Sequence, residues 1–169
     1  MLNLFAYTGG ATLAAAAAGA SVTHVDASKG MVTWAKENAA ASGLADAPIR
    51  WLVDDCVKFV EREIRRGNTY DAIIMDPPSY GRGPKGEIWK IEDMIHPLIK
   101  LCTKILSKDA LFFLVNSYTT GLAPAVLTYM ISTELKPWNG HVESQEIGLP
   151  VTDSGLVLPC GASGRWESD

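Results

Sequence analysis

The sequence lacks the patterns that mark disulfide-built, metal-binding and membrane-spanning proteins. Its three cysteines, Cys56, Cys102 and Cys160, lie far apart and form no Cys-x-x-Cys pair and no Cys/His ligand spacing. No stretch of about 20 unbroken apolar residues occurs, so no membrane-spanning helix is predicted. We therefore expect neither a metal site nor a membrane segment, and cysteines without this pairing pattern indicate a reduced, cytoplasmic protein.

An excess of positive charge is also missing. The chain carries 15 lysines and arginines against 19 aspartates and glutamates, which gives a net charge of −4. This balance provides no general attraction to phosphate, so any contact with nucleic acid must come from a local patch or from a part of the protein outside this sequence. With 169 residues, 47% of them apolar, the chain has the size and composition of one soluble globular domain.

Short apolar runs alternate with longer helical patterns from the first residue onward, which indicates an α/β fold with a mostly parallel sheet. Strands are predicted at 2–6, 22–25, 49–53, 70–75 and 111–115, and helices at 11–18, 29–42, 57–66 and 122–135. A further helix has one apolar face, formed by Met94, Leu98, Leu101 and Ile105. Residues 79–86 are predicted to form a loop rich in glycine and proline.

The two ends of the chain carry separate expectations. Residues 142–158 contain two strand patterns with no helix between them, so they should form an antiparallel hairpin at one edge of the sheet. The glycines in 160–166 predict a turn. At the other end, the first strand starts next to Met1 although it should lie in the centre of the sheet. We therefore expect residues 1–169 to be a single domain that lacks N-terminal elements.

Ligands of an open α/β sheet bind beyond the carboxyl ends of its strands, and that rule brings four loops together. They contain Ala6-Tyr7-Thr8-Gly9, then Asp26, then Asp54 and Asp55, and then Asp76. Each feature alone also fits a tight turn or a helix cap. An acid at three consecutive strand ends after a glycine loop favours a cofactor site instead, because carboxylates accept hydrogen bonds from ribose hydroxyls.

The glycine loop distinguishes between cofactors. A dinucleotide requires Gly-x-Gly-x-x-Gly so that its pyrophosphate can approach a helix N-terminus, and this loop has only the adjacent pair Gly9-Gly10. A ligand with ribose and adenine but no phosphate fits better. The loop therefore predicts S-adenosylmethionine and argues against a nicotinamide-dependent oxidoreductase.

The run Asp76-Pro77-Pro78-Ser79-Tyr80 follows the fourth strand directly. Its prolines remove two N–H donors, which leaves the carboxylate and nearby carbonyls as a fixed set of acceptors, and Tyr80 offers a flat apolar face. By itself this pattern also fits a strand followed by a proline turn. Beside a cofactor site, it predicts that an amino-bearing nucleobase is held by Asp76 and the Pro77 carbonyl and stacks on Tyr80.

These motifs together resemble a known family. The segments NLFAYTGG, HVDAS, DPPSYGRGPKGE and LPCGASGRW are similar to class I S-adenosylmethionine-dependent methyltransferases, and within that class to the group of rRNA large subunit methyltransferase I, which acts on cytosine C5 of 23S rRNA. The resemblance implies a three-layer, Rossmann-like fold with a seven-stranded sheet in the order 3-2-1-4-5-7-6 whose last strand is antiparallel. It also implies an RNA substrate, with rRNA as the expected class.

The resemblance implies roles for individual residues. The methionine part of the cofactor would contact residues 6–9, and the ribose would contact Asp26. The adenine would contact Asp55 and the backbone of Cys56. Cofactor binding is accordingly expected at Ala6, Tyr7, Thr8, Gly9, Asp26, Ala27, Ser28, Asp55, Cys56 and Asp76. The catalytic residues are expected to be Asp76, Pro77, Pro78 and Tyr80.

The sequence departs from RNA cytosine-C5 enzymes at one place. Those enzymes need a thiolate that adds to the ring, and they commonly carry it in a Ser-Cys-Ser-type motif after the fifth strand. Here that place contains Asn116-Ser117-Tyr118. The departure favours direct in-line transfer of the methyl group to an amine or another ready nucleophile.

Two other functions remain open from the sequence alone. The acidic net charge is typical of a small-molecule methyltransferase, and the start at Met1 is typical of a cofactor-binding fragment without activity. The basic residues Arg82, Lys85 and Lys90 lie close to the predicted active-site loop, where they predict either a contact with RNA phosphate or an ordinary solvated loop. The oligomeric state is not predicted.

Overall fold

The structure, a computed structural model, describes residues 1–83, 85–119 and 121–169. Its strands are Leu2–Leu4 (β1), Val22–Asp26 (β2), Ile49–Val53 (β3), Ala72–Met75 (β4), Tyr80–Arg82 (β5), Ile88–Lys90 (β6), Phe112–Ser117 (β7), Gly140–Pro150 (β8) and Val157–Ser168 (β9). Its helices are Gly10–Ala17 (α1), Lys29–Ala41 (α2), Cys56–Arg66 (α3), Ile91–Thr103 (α4) and Pro124–Glu134 (α5).

Seven strands form one sheet in the order β3-β2-β1-β4-β7-β9-β8. Strands β3, β2, β1, β4 and β7 are parallel, whereas β9 runs antiparallel to both of its neighbours. When only the strands of this sheet are counted, the order is 3-2-1-4-5-7-6, so the predicted fold and the hairpin at one edge are confirmed.

The direction of the crossovers determines which face each helix covers. The chain moves outward from β1 through β2 to β3, and then in the opposite sense from β3 to β4 and β7. Because parallel crossovers are right-handed, α1 and α2 cover one face of the sheet, and α3 and α4 cover the other. Helix α3 contacts α4, and α4 contacts α5, as expected for one layer.

The central strands are buried because helices cover both of their faces. Leu2, Leu4, Ile73 and Phe113 are fully buried in the core. One polar chain crosses this region: Asn3 donates to the Thr12 hydroxyl at 2.9 Å, and that hydroxyl lies 2.9 Å from Nδ1 of His24. Burial, partly opposed by the charge of Asp26, lowers the pKa of His24 to about 4, so its ring is neutral at pH 7.

Two expectations about local structure were wrong. The segment 79–86 is not a simple loop, because β5 and β6 pair as an antiparallel hairpin, and Pro84 lies outside the described residues. Residues 160–166 belong to β9, where Trp166 is buried. The predicted apolar face does lie toward the core, because Leu98 and Ile105 are buried there and Met94 and Leu101 pack against it.

Among the described residues, no helix has the length and hydropathy needed to cross a membrane. The same residues contain no group of three or more histidine, cysteine, aspartate or glutamate side chains arranged to hold a metal ion.

Candidate active site

A cavity of about 630 Å³ opens at the carboxyl ends of the central strands, where the sequence predicts the cofactor. Eight of the predicted site residues line it: Tyr7, Asp26, Ala27, Ser28, Asp55, Cys56, Asp76 and Pro78. Five other predicted residues, Ala6, Thr8, Gly9, Pro77 and Tyr80, are not among its lining residues. The acids after β2, β3 and β4 therefore face one common space.

The loop after β1 turns sharply before it reaches α1. Phe5 and Tyr7 have φ angles of 55° and 50°, in the left-handed region that residues other than glycine seldom adopt. This turn points the Tyr7 N–H at Asp26, whose Oδ2 accepts it at 2.9 Å. The other oxygen, Oδ1, accepts the N–H of Ser28 at 2.8 Å. Two backbone donors thus orient the Asp26 carboxylate, and each oxygen keeps a lone pair for a ligand.

Gly9 and Thr8 hold the loop against α2. Gly9 has a φ of 90°, and a Cβ there would lie 3.1 Å from the Cβ of Ala35, so glycine is needed for both the turn and the approach of α2. Asn38 of α2 donates to the Thr8 carbonyl at 2.9 Å. In this structure both residues fix the loop against α2, and their predicted contact with the cofactor stays a prediction.

Asp55 and Cys56 begin α3 at the opposite wall. The Asp55 side chain caps the helix by accepting the Lys58 N–H at 2.9 Å, which directs its carboxylate toward the cavity. The sulfur of Cys56 accepts the Phe5 N–H at 3.4 Å. Burial raises the pKa of Cys56 well above its usual range, so this residue is a neutral thiol and unsuited to nucleophilic attack.

The β5–β6 hairpin forms another wall. Trp89 packs on Phe5, with ring centroids 4.9 Å apart, and its Nε1–H donates to the Pro78 carbonyl at 2.7 Å. This bond occupies one of the carbonyls that the proline loop was expected to leave free. Farther out, Lys58 of α3 forms an ion pair with Glu87, which links the hairpin to the helix that also lines the cavity.

Asp76 and Tyr118 lie where the cavity meets the ends of β4 and β7. Desolvation raises the pKa of Asp76 above its ordinary value. Burial first, and then the negative charge of Asp76, raise the pKa of Tyr118, and both side chains line the cavity. Ser79 and Thr119 join the two loops through hydroxyls that lie 2.7 Å apart.

Seven lining residues were not among the predicted site residues: Phe5, Val57, Gly81, Arg82, Gly83, Trp89 and Tyr118. Of these, Arg82 was predicted to lie close to the active-site loop. Tyr118 could have been found, because it follows the fifth strand of the sheet and the carboxyl-end rule applies to that strand as well. Trp89 carried no such signal. Its position depends on the hairpin that folds β6 back onto the strand ends.

The sequence pattern of the S-adenosylmethionine-dependent methyltransferase family matches residues 1–135, which include every lining residue of this cavity. The chain belongs to this family. The cofactor of the family is therefore S-adenosylmethionine, as the phosphate-free glycine loop predicted.

Relatives of this chain include proteins named as rRNA methyltransferases. It is 38% identical over 107 residues to ribosomal RNA large subunit methyltransferase K/L of Shewanella frigidimarina, covering 60% of this chain and 15% of that protein. It is 32% identical over 118 residues to ribosomal RNA large subunit methyltransferase K of Neisseria meningitidis serogroup B, covering 69% of this chain and 33% of that protein. The chain thus spans at most a third of these two relatives.

A solved structure with a similar fold covers more of the chain. The S-adenosylmethionine-dependent methyltransferase from Agrobacterium tumefaciens superposes with a TM-score of 0.93 at 44% identity, over 99% of this chain and 55% of that one. The fold of this chain therefore occurs within a longer protein.

The residues of the cavity fit S-adenosylmethionine. The oriented Asp26 carboxylate can accept hydrogen bonds from ribose hydroxyls, and that of Asp55 can accept one from an exocyclic amine. Phe5, Val57 and Trp89 supply an apolar lining. The carboxylates that line the cavity attract a cationic sulfonium.

Proposed function

We propose that this chain transfers a methyl group from S-adenosylmethionine to an RNA base, most specifically a base of ribosomal RNA, by direct in-line transfer. The observation that carries the proposal is the position of Asp76 in the same cavity as Asp26 and Asp55. A carboxylate at the end of β4 can hold the acceptor group while the acids after β2 and β3 hold the cofactor.

Bound S-adenosylmethionine supplies a methyl group made electrophilic by its sulfonium. The protein's part is to hold the acceptor atom in line with that methyl group, and positioning alone can lower the barrier by roughly 7 to 11 kcal/mol. In this proposal Asp76 accepts a hydrogen bond from the acceptor amine. No donor in the described part of the chain bonds to the Pro77 carbonyl, which leaves it as a second acceptor near the strand end.

The bonds formed and broken in the methyl transfer balance. A bond forms between the acceptor atom and the methyl carbon, the sulfur–methyl bond breaks with its electron pair staying on sulfur, and an amine acceptor then loses one proton. The raised pKa of the Asp76 carboxylate makes it a better acceptor for that proton than an ordinary aspartate. No step needs a nucleophilic cysteine, which agrees with the residues after β7 and with the neutral thiol of Cys56.

The proposal of an RNA substrate rests on the names of the rRNA relatives and on the aromatic and basic residues near the cavity. Tyr118 and Tyr80 offer exposed rings at the acceptor side, and Arg82 lines the cavity on the hairpin. These side chains suit a base that stacks and a phosphate that follows it. An RNA partner, a cytoplasmic location and a reaction without a metal ion belong to the same proposal.

Mass spectrometry of rRNA nucleosides from cells with and without the gene tests the proposal directly. We expect one methylated nucleoside to disappear without the gene and to return when the gene is supplied. A complementing gene with Asp76→Ala should fail to restore it. An unchanged nucleoside profile would contradict the rRNA substrate, and transfer to small metabolites in the same extracts would then identify a different acceptor class.

Two other functions have observations in their favour. The net charge of −4 favours a small-molecule acceptor, since the surface gives no general attraction to RNA. The chain spans only 55% of the Agrobacterium relative, which favours a cofactor-binding part of a larger methyltransferase that is inactive alone. Titration of S-adenosylhomocysteine into the purified chain, followed by a transfer assay, separates binding without activity from catalysis.

A further inference from the structure

A second cavity, of about 440 Å³, lies beside the cofactor cavity, and Tyr118 lines both. Its walls come from the loop after β7, from the beginning of α5 and from facing parts of β8 and β9, including Glu146 and Cys160. The family pattern ends at residue 135, so the β8 and β9 walls lie outside the part of the chain that it matches.

The shared residue stands next to the proposed site of transfer. Tyr118 is 57% exposed, and it lines the cofactor cavity together with Asp76. The loop that carries Tyr118 is held in place, because Thr119 bonds to Ser79 through its hydroxyl at 2.7 Å and its N–H donates to the Ser117 hydroxyl at 3.1 Å. A ligand lying against Tyr118 in the second cavity would therefore border the cavity that contains Asp76.

The second cavity is lined mainly by small side chains. Most of its lining residues are glycine, alanine or proline, whose short or rigid side chains leave the space open. Gly161 permits the close approach of β9 to the end of β7, since a Cβ there would lie 2.2 Å from the Ser117 carbonyl oxygen. Cys160 is occupied, because its thiol donates to the Ile147 carbonyl at 3.4 Å.

The charge of the second cavity narrows the ligand class. Glu146 is the one charged residue among the described residues that line the second cavity. Among the residues that the structure describes, none forms an ion pair or a hydrogen bond with its carboxylate. A carboxylate repels phosphate and accepts N–H donors. It pairs well with the amino-bearing edge of adenine, cytosine or guanine. Uracil has one N–H, which is flanked by two carbonyls that a carboxylate repels.

We propose that this second cavity receives the acceptor base, with an amino-bearing base lying against Tyr118, one N–H of its donor edge bonded to Glu146, and the amine that accepts the methyl group directed at Asp76. This inference rests on the proposed methyltransferase function and adds the cavity that holds the base and a residue that recognises it. Glu146 is a specificity residue here and takes no part in bond making.

Nucleoside binding tests the inference without requiring turnover. The purified chain, saturated with S-adenosylhomocysteine, is titrated with adenosine, cytidine, guanosine or uridine, and binding is followed by ligand NMR. We expect at least one amino-bearing nucleoside to bind about tenfold more tightly than uridine. Glu146→Gln should weaken that nucleoside about five- to tenfold, because a charged acceptor is lost.

Two matched controls separate recognition from general structural effects. Glu143→Gln changes the same charge on the same strand but outside this cavity, so it should leave nucleoside affinity within about twofold. Tyr118→Ala should weaken the nucleoside about tenfold and Tyr118→Phe by less than about twofold, since the ring provides the stacking. Tyr129→Ala removes a ring that is 71% exposed on α5 and should change nothing.

The outcomes distinguish this inference from the function on which it rests. If S-adenosylhomocysteine binds but no nucleoside prefers this chain over the Glu146→Gln variant, the inference is overturned and the cofactor site stands. Equal affinities for uridine and the amino-bearing nucleosides would also overturn it. A chain that does not bind S-adenosylhomocysteine would contradict the proposed function, and this inference with it.

Discussion

The cofactor side of the active-site cavity, built on β1 to β3, and the acceptor side, built on β4 and β7, hold their polar groups differently. On the cofactor side, Asp26 accepts two backbone N–H groups and Asp55 caps a helix. On the acceptor side, no described residue donates a hydrogen bond to the carboxylate of Asp76 or to the hydroxyl of Tyr118. The cofactor side is thus oriented before any ligand arrives, whereas the acceptor side keeps its hydrogen-bonding capacity for the substrate.

The backbone follows the same division. The loop after β1 holds two residues other than glycine in the left-handed region and is tied to α2 through Asn38. The loops after β4 and β7 are tied to each other through Ser79 and Thr119. The cofactor side and the acceptor side are therefore each stabilised by their own hydrogen bonds. In the proposed reaction the methyl group moves from the cofactor side to the acceptor side.

The largest expected effect comes from removing the acid of the acceptor side. Asp76→Ala should lower turnover about 1000-fold, because the acceptor loses its positioning group, while the affinity for S-adenosylhomocysteine stays within about threefold. Calorimetry and a methyl-transfer assay measure the two quantities. Asp71→Ala, an exposed acid just before β4, is the matched control and should keep full turnover. Unchanged turnover in the Asp76 variant would remove that residue from the mechanism.

The pH dependence of stability tests the role of His24, which is buried beneath the cofactor side and bonded to Thr12. The pKa of His24 is lowered to about 4 in the folded chain, below its ordinary 6.5, chiefly by burial. As the pH falls from 6.5 to 4, His24 binds a proton in the unfolded chain but stays neutral in the folded chain. The stabilisation present above pH 6.5 is therefore lost across that window. We expect the free energy of unfolding to fall by about 2 to 3 kcal/mol.

Urea unfolding at several pH values measures this loss. The variant His24→Gln cannot titrate, so its stability should decline less over the same pH range than that of the wild type. Parallel curves for the two proteins would show that other groups cause the acid sensitivity.

A smaller effect is expected from the carboxylate that is predicted to bind the ribose. Asp26→Ala should weaken S-adenosylhomocysteine about 10- to 100-fold, which corresponds to about 1.4 to 2.8 kcal/mol. Asp54→Ala is the matched control, because Asp54 also follows a strand of this half but pairs with Arg62 and does not line the cavity. If both variants lost affinity equally, the comparison between a cofactor-facing and a structural acid would fail.

The smallest effect is expected for Tyr80. Its ring is 52% exposed at the start of β5 and is not among the lining residues, so Tyr80→Ala should raise the KM of the acceptor only about two- to fivefold. Steady-state kinetics with the identified acceptor measures this change. A loss as large as that of Tyr118→Ala would support the original prediction that Tyr80 stacks on the base, and would place its ring in the substrate complex.

The success of the sequence predictions follows from local patterns. The strands and helices could be assigned from the periodicity of neighbouring residues alone. The same holds for Ser28 as the cap of α2, where its hydroxyl accepts the Met31 N–H at 3.4 Å. The β5–β6 hairpin could not, because its short strands alternate weakly and are held by Trp89 packing on Phe5, a residue far away along the chain. The same reasoning explains why Tyr118 was missed and Tyr80 favoured: proximity in sequence to Asp76 substituted for proximity in space.

The sequence by itself determined the fold class, the family and the acids at the strand ends. These properties depend on the order of apolar and polar residues along the chain, and parallel strands with right-handed crossovers leave few arrangements open. Only the tertiary structure decided which residues share a cavity. Asp26, Asp76, Trp89 and Tyr118 meet because sheet order and loop geometry bring distant segments together, and no local pattern records those distances. The acids of the cavity are predictable because each lies at or just after the end of a strand, whereas the position of Trp89 depends on how the β5–β6 hairpin packs.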